Sequence, residues 1–224
     1  MPNIHISLST FLYKASIWLG IVALFCMLSF KYIDLPVLLW VQENIDSSLF
    51  IIQFISDIGL GIWWFIIALV GIIVGHVIVK RSPNKEECVN GEKIKKYFLF
   101  MLNALIFGGI FVQLLKSIIG RPRPRLYLEE QLYQPEPFSF FISGMNSFPS
   151  GHAQLIWVVA FVLGYIYPRI RGISIFVAIL VSLSRVALSA HYLADIVAGM
   201  YLGWLNATLV YYFCLGKTKK LESK

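Results

Sequence analysis

The sequence predicts an all-α, polytopic membrane helical bundle with six transmembrane helices, and three observations predict it. Of its 224 residues, 58% are hydrophobic and 14% charged, with a mean hydropathy of +0.74. A soluble domain carries about 25% charged residues to cover itself in water. Six apolar stretches approach the roughly 20 residues that cross a hydrocarbon core. Lys and Arg also divide unevenly between the two sides that alternating spans would create.

In chain order the expected spans are 15–32, 60–79, 97–115, 152–167, 172–190 and 196–215. The first resembles a secretory leader in hydropathy, but it has no A-x-A-like cleavage site and follows Lys14, so a permanent span is expected. Residues 33–59 mix apolar residues with Asp34, Glu43, Asp46 and Asp57, which suggests a short helix in the interface. Residues 80–96, KRSPNKEECVNGEKIKK, read as a solvated loop with turn residues Pro83, Asn84 and Gly91. The segment from 116 to about 151 interleaves Leu, Tyr and Phe, among them Phe138, Phe140 and Phe141, with Glu129, Glu130 and Glu136. It reads as an interfacial cap. One membrane-embedded domain over 1–224 follows, with no room for a separate soluble module.

With the N-terminus in the cytoplasm, 13 of the 19 basic residues fall inside: Lys14, Lys80, Arg81, Lys85, Lys93, Lys95, Lys96, Arg169, Arg171, Lys217, Lys219, Lys220 and Lys224. Five fall outside, Lys31, Lys116, Arg121, Arg123 and Arg125, and Arg185 lies near the end of the fifth span. This is the positive-inside pattern, with both termini cytoplasmic. The net charge of +7 therefore sets topology and argues against a nucleic-acid partner. Cys26, Cys88 and Cys214 form neither a disulfide framework nor a metal-ligand set. Small-xxx-small pairs, Gly71/Gly75 and Gly199/Gly203, are expected to pack helices within one chain rather than to make a dimer contact. His76, Asn103 and Asn206 are expected to make hydrogen bonds between helices. No obligate protein partner is evident.

Charge near a span is costly and marks function. It gathers in three clusters: Lys116 to Pro124 (KSIIGRPRP), Pro149 to His152 (PSGH) and Ser184 to Asp195 (SRVALSAHYLAD). Alternating topology puts all three at the same outer face. The chemistry fits a phosphate ester. Positioned cations stabilise the charge on a transferring phosphoryl group, and Lys116, Arg123 and Arg185 supply them. Ser150 and Gly151 begin a helix, where close backbone approach and free N–H groups favour an anion. His191 and Asp195, four apart, share a face if the segment is helical. A carboxylate on one ring nitrogen leaves the other as a nucleophile, and His152 would then protonate the leaving oxygen. A purely structural His–Asp hydrogen bond is the alternative.

These clusters resemble the signature of the type-2 phosphatidic acid phosphatase superfamily, which includes vanadium haloperoxidases: K-x6-R-P, P-S-G-H and S-R-x5-H-x3-D. Lys116, Arg123 and Pro124 match the first part, Pro149 to His152 the second, and Ser184, Arg185, His191 and Asp195 the third. The resemblance covers about residues 15–215. It implies a phosphohistidine on His191, His152 as acid, and a phosphate held by Lys116, Arg123, Ser150, Gly151 and Arg185, with no metal and no cofactor. In the RPRPR run, the x6 spacing selects Arg123. Arg121 and Arg125 are left for lipid headgroups, a second substrate phosphate, or solvated surface.

The expected enzyme is a phosphatase of an amphiphilic lipid at the outside, or periplasmic, face of a bacterial inner (plasma) membrane. Undecaprenyl diphosphate, phosphatidylglycerol phosphate and a lipid A phosphate are candidate substrates. The stretch FSFFISGMNSFPSGHA resembles lipid A phosphatase-like members. A lipid phosphotransferase would use the same intermediate. A transporter would place its polar groups near the midplane instead.

Overall fold

The computed structural model describes residues 7–139 and 142–216. Among them the regular elements are helices, the α-helices being α1 (Leu8–Tyr32), α2 (Asp34–Asn44), α3 (Phe50–Asp57), α4 (Gly61–Arg81), α5 (Lys85–Ile119), α6 (Pro124–Glu130), α7 (Gly151–Ile166), α8 (Arg171–Ala187) and α9 (Leu193–Tyr211). Five stretches are long and apolar enough to cross a membrane, lying in α1, α4, α5, α8 and α9, and α7 is a shorter apolar helix. Phe140, Phe141 and the C-terminal lysines Lys217, Lys219, Lys220 and Lys224 lie outside the described residues.

Local chemistry sets the helix ends. Ser7 caps α1 by accepting from the Thr10 N–H, and Asn84 caps α5 by accepting from Glu87. Glu86 and Glu87 in the first turn of α5 complement its dipole. α5 stops at Gly120, whose φ of +59° suits glycine, and a side chain there would run into the Glu136 carbonyl. Ser150 caps α7.

Two expectations give way. The stretch 80–96 is not a loop, because α5 begins at Lys85 and runs for 35 residues. Gly91 is no turn residue. It faces α4, where Cβ atoms built on Gly75 or Gly91 would come within 3 Å of the opposite backbone. Charge in the first third of α5 disguised a helix that leaves the apolar layer without ending. The linker 33–59 holds two short helices, α2 and α3.

The centre of the bundle is α5, α7 and α9. Phe100, Ala104 and Leu105 of α5 pack on Val158, Val159 and Val162 of α7 and on Ala207 and Val210 of α9. Of its most apolar window, α9 buries 56%, against 11% for α1, so α1 is peripheral. Gly199 and Gly203 bring α9 onto α7. Cβ atoms there would meet the Ser150 and Gln154 carbonyls at 2.7 Å. The small-residue pairs thus pack helices within the chain, as expected. Asn206 bonds across to the Ala104 carbonyl, whereas Asn103 bonds back to Leu99 of its own helix and His76 is exposed.

Candidate active site

All three polar clusters converge at one end of the bundle. α5 delivers Lys116 in its last turn, α7 begins there with Gly151 and His152, α8 ends there with Arg185, and α9 starts there with Asp195. A Cβ on Gly151 would lie 3.8 Å from Lys116 Cε, so the α7 N-terminus faces the lysine. His152 lies within electrostatic range of Arg185, His191, Lys116 and Arg123.

The segment after α6 folds back to order the cations. Ser147 N–H donates to the Arg121 carbonyl and Arg123 N–H to that of Gly144, both at 2.9 Å. Asn146 then accepts from Lys116 Nζ through its backbone oxygen at 2.6 Å and from Arg123 Nε through its side chain at 2.7 Å. Arg185 is fixed from the other side, its Nη1 donating to Ser56 of α3 at 2.6 Å. Three like charges thus surround one space, each tied by a neutral acceptor, and an arriving anion would meet them already placed.

The Ser189 turn, at φ +49°, presents His191, whose N–H and that of Ala190 both donate to the Arg185 carbonyl. His191 Nδ1 lies 3.4 Å from Asp195 Oδ2 and from Ser147 Oγ. Ser147 donates to the same Oδ2 at 2.5 Å, and Tyr192 N–H at 3.0 Å. With Nδ1 at the carboxylate, Nε2 is the nitrogen left for chemistry. Burial pushes the His191 imidazole down to about 4; Asp195 pulls it back up, while Lys116 and Arg123 lower it further. The ring is therefore neutral at pH 7, as a nucleophile must be.

Arg121 overturns its expected role. It is 2% exposed and meets neither solvent nor headgroups. Its Nη1 pairs with Asp195 Oδ1 and its Nη2 with Asp34 Oδ2, each at 2.7 Å. The guanidinium lies over Phe30, Tyr133 and Tyr192, nearest to Tyr192 at 4.1 Å. Arg125 is exposed and pairs with Glu129. With Arg123 it lines cavities of about 540 and 360 Å3, the larger bordered by Glu129, Glu130 and Asn146.

Sequence reasoning missed Asp34, Ser56, Asn146 and Ser147. A carboxylate two residues past a span was a usable signal for Asp34. The three neutral residues carried none, because Ser and Asn are ordinary in loops.

Long apolar helices with a cluster of cations and histidines at one end define an integral membrane protein with a polar centre at the end of its bundle. The sequence profile of the PAP2 superfamily matches residues 97–219, more than half of the chain. The chain belongs to that superfamily. It is 32% identical over 133 residues to a lipid A 1-phosphatase of Rhizobium johnstonii, covering 59% of this chain and 53% of the relative. A lipid A 1-phosphatase of Rhizobium etli is 30% identical over 143 residues, covering 62% and 60%. An undecaprenyl-diphosphatase of Sulfolobus acidocaldarius is 28% identical over 134 residues, covering 58% and 62%. The chain thus spans between half and two thirds of the length of these relatives, all named as phosphatases. In fold it matches the crystal structure of a PAP2-type phosphatidylglycerolphosphate phosphatase from Bacillus subtilis, with a TM-score of 0.62 and 21% identity over 90% of this chain and 96% of that one.

Proposed function

We propose that the chain is a single-domain lipid phosphatase of six spans, with α7 the short fourth. Both termini would be cytoplasmic and the site would face the periplasm. The observation that carries the chemistry is the His191–Asp195 pair set among Lys116, Arg123 and Arg185. His191 Nε2 attacks phosphorus, a phosphohistidine forms, and the P–O bond to the lipid breaks as His152 gives its proton to the leaving oxygen. Water, deprotonated by His152, then attacks the phosphohistidine and releases phosphate. Lys116, Arg123, Arg185 and the backbone N–H of Gly151 hold the equatorial oxygens through both steps, whereas the Ser150 N–H expected there is taken by the Asp195 carbonyl at 3.0 Å. Asp195 holds the imidazole in its tautomer.

The side assignment is supported by the excess of Lys and Arg at the opposite end. Substrate class rests on the relatives' names together with a site at the end of apolar helices, which suits an amphiphile. A lipid A phosphate, undecaprenyl diphosphate and phosphatidylglycerol phosphate are the candidates. The test is phosphate release by purified protein from all three lipids, beside His191→Ala. The parent is expected to turn over at least one of them, and His191→Ala to lose about three orders of magnitude or more in kcat, since a nucleophile has no substitute. Substantial turnover by a folded His191→Ala protein would reject the nucleophile.

A further inference from the structure

Asp34 is 1% exposed, as enclosed as Asp195, yet it lies at the corner where α1 ends and α2 begins, outside every motif. Its Oδ1 accepts from the Ser29 hydroxyl at 2.7 Å and from the Ala194 N–H at 3.1 Å, and its Oδ2 from Arg121 at 2.7 Å. The Ala194 amide is one residue from Asp195. Asp34 therefore grips the first turn of α9 twice, directly through the backbone and indirectly through Arg121.

We infer that Asp34 and Arg121 are positioning residues: Arg121, held between two carboxylates, fixes Asp195 against His191, so the α1–α2 corner belongs to the framework of the active site. This rests on the reading of His191 as nucleophile. A carboxylate that only balanced a cation would leave Asp195 free to rotate. Here each of its oxygens is engaged, Oδ1 by Arg121 and Oδ2 by Ser147, Tyr192 N–H and His191. Rotation of Asp195 would break the bond to Arg121, and Arg121 cannot follow while Asp34 holds its other arm. A guanidinium suits the task because its two terminal nitrogens serve two partners in one plane; an ammonium cannot.

The charges facing His191 are Asp195 from α9, Lys116 from α5, Arg123 from the turn after α5 and His152 from α7. Around Asp34 stand Arg121, Cys26, Tyr133 and Tyr192. The experiment compares Asp34→Asn with the charge-balanced double variant Asp34→Asn/Arg121→Gln, in the full-length protein in detergent. For Asp34→Asn, which keeps the acceptor facing Ser29 and Ala194, kcat should fall about tenfold while KM stays within about twofold. In the double variant, Asp195 loses its cation and holds the His191 proton more strongly. Its kcat should fall about a hundredfold, and the His191 midpoint, read by histidine-selective 15N NMR, should rise by about one pH unit or more. A kcat within about twofold of the parent in the folded proteins, with the His191 titration unmoved, overturns the inference. Should the double variant not fold, kcat of Asp34→Asn alone decides. Turnover retained by His191→Ala would remove the nucleophile reading instead, and the NMR midpoint would still report whether Arg121 governs the pair.

Discussion

Ser147 makes the shortest of the hydrogen bonds that hold Asp195, and Arg121 the two ion pairs that tie it to Asp34. A hydrogen bond to a charged group contributes about 1.5–3 kcal/mol, and about 1.4 kcal/mol is tenfold in rate. Ser147→Ala is therefore expected to lower kcat ten- to a hundredfold, checked by steady-state phosphate release. Truncating one member of a buried ion network leaves a charge without its partner and costs about 3–5 kcal/mol. Arg121→Ala, which strands two carboxylates, should lower thermal stability in detergent far more than Arg125→Ala at its exposed pair. Protonation of His191 belongs to the same scale. Its folded value of about 4 lies below the ordinary 6.5, so below pH 6.5 the unfolded chain binds the proton first. The stability that the neutral, buried ring contributes is complete above pH 6.5 and is lost as pH falls toward 4. Denaturant midpoints measured from pH 7 to 4 should fall, and His191→Gln should flatten that slope.

At the scale of elements, the motifs were legible because they put charged and imidazole side chains where membrane helices otherwise exclude them. Lys116, Arg123, His152, Arg185, His191 and Asp195 declared themselves by type, and the structure gathers them at one end. Arg121 misled because a span's edge is where solvated arginines are also common, and only the fold reveals that α1 brings Asp34 beneath it. α5 misled for a related reason, since a helix that leaves the apolar layer keeps its hydrogen bonds while its composition turns polar. The α7–α9 contact is the element most exposed to mutation. Gly203 leaves no room above the Gln154 carbonyl and Trp157. Gly203→Leu is expected to destabilise by about 1–3 kcal/mol or more, as overpacking does. Thermal unfolding in detergent measures it, with Gly20→Leu, which faces open space, as the neutral comparison.

For the whole molecule, the basic ends of α4, α5 and α8 lie opposite the cluster that holds Lys116. The proposed orientation makes a test in intact membranes. In a protein with Cys26 and Cys214 replaced by serine, Cys88 near the start of α5 should react with a membrane-impermeant maleimide only in inverted vesicles. Labelling from the periplasm would reverse the assignment of sides, and with it the leaflet that presents substrate.

A 35-residue α-helix is about 52 Å long, and the hydrocarbon layer is about 30 Å. α5 is therefore longer than the layer it crosses, with Lys116 near one tip, its charged first turns at the other, and a clamp at Gly91 where it meets α4. Gly91, at that clamp, is six residues from Lys85 and 25 from Lys116, so pivoting there would swing the lysine about four times as far as the opposite tip. Anything that grips Lys85 to Glu87 from the aqueous side holds the short arm of a lever whose long arm carries an ammonium group of the candidate site.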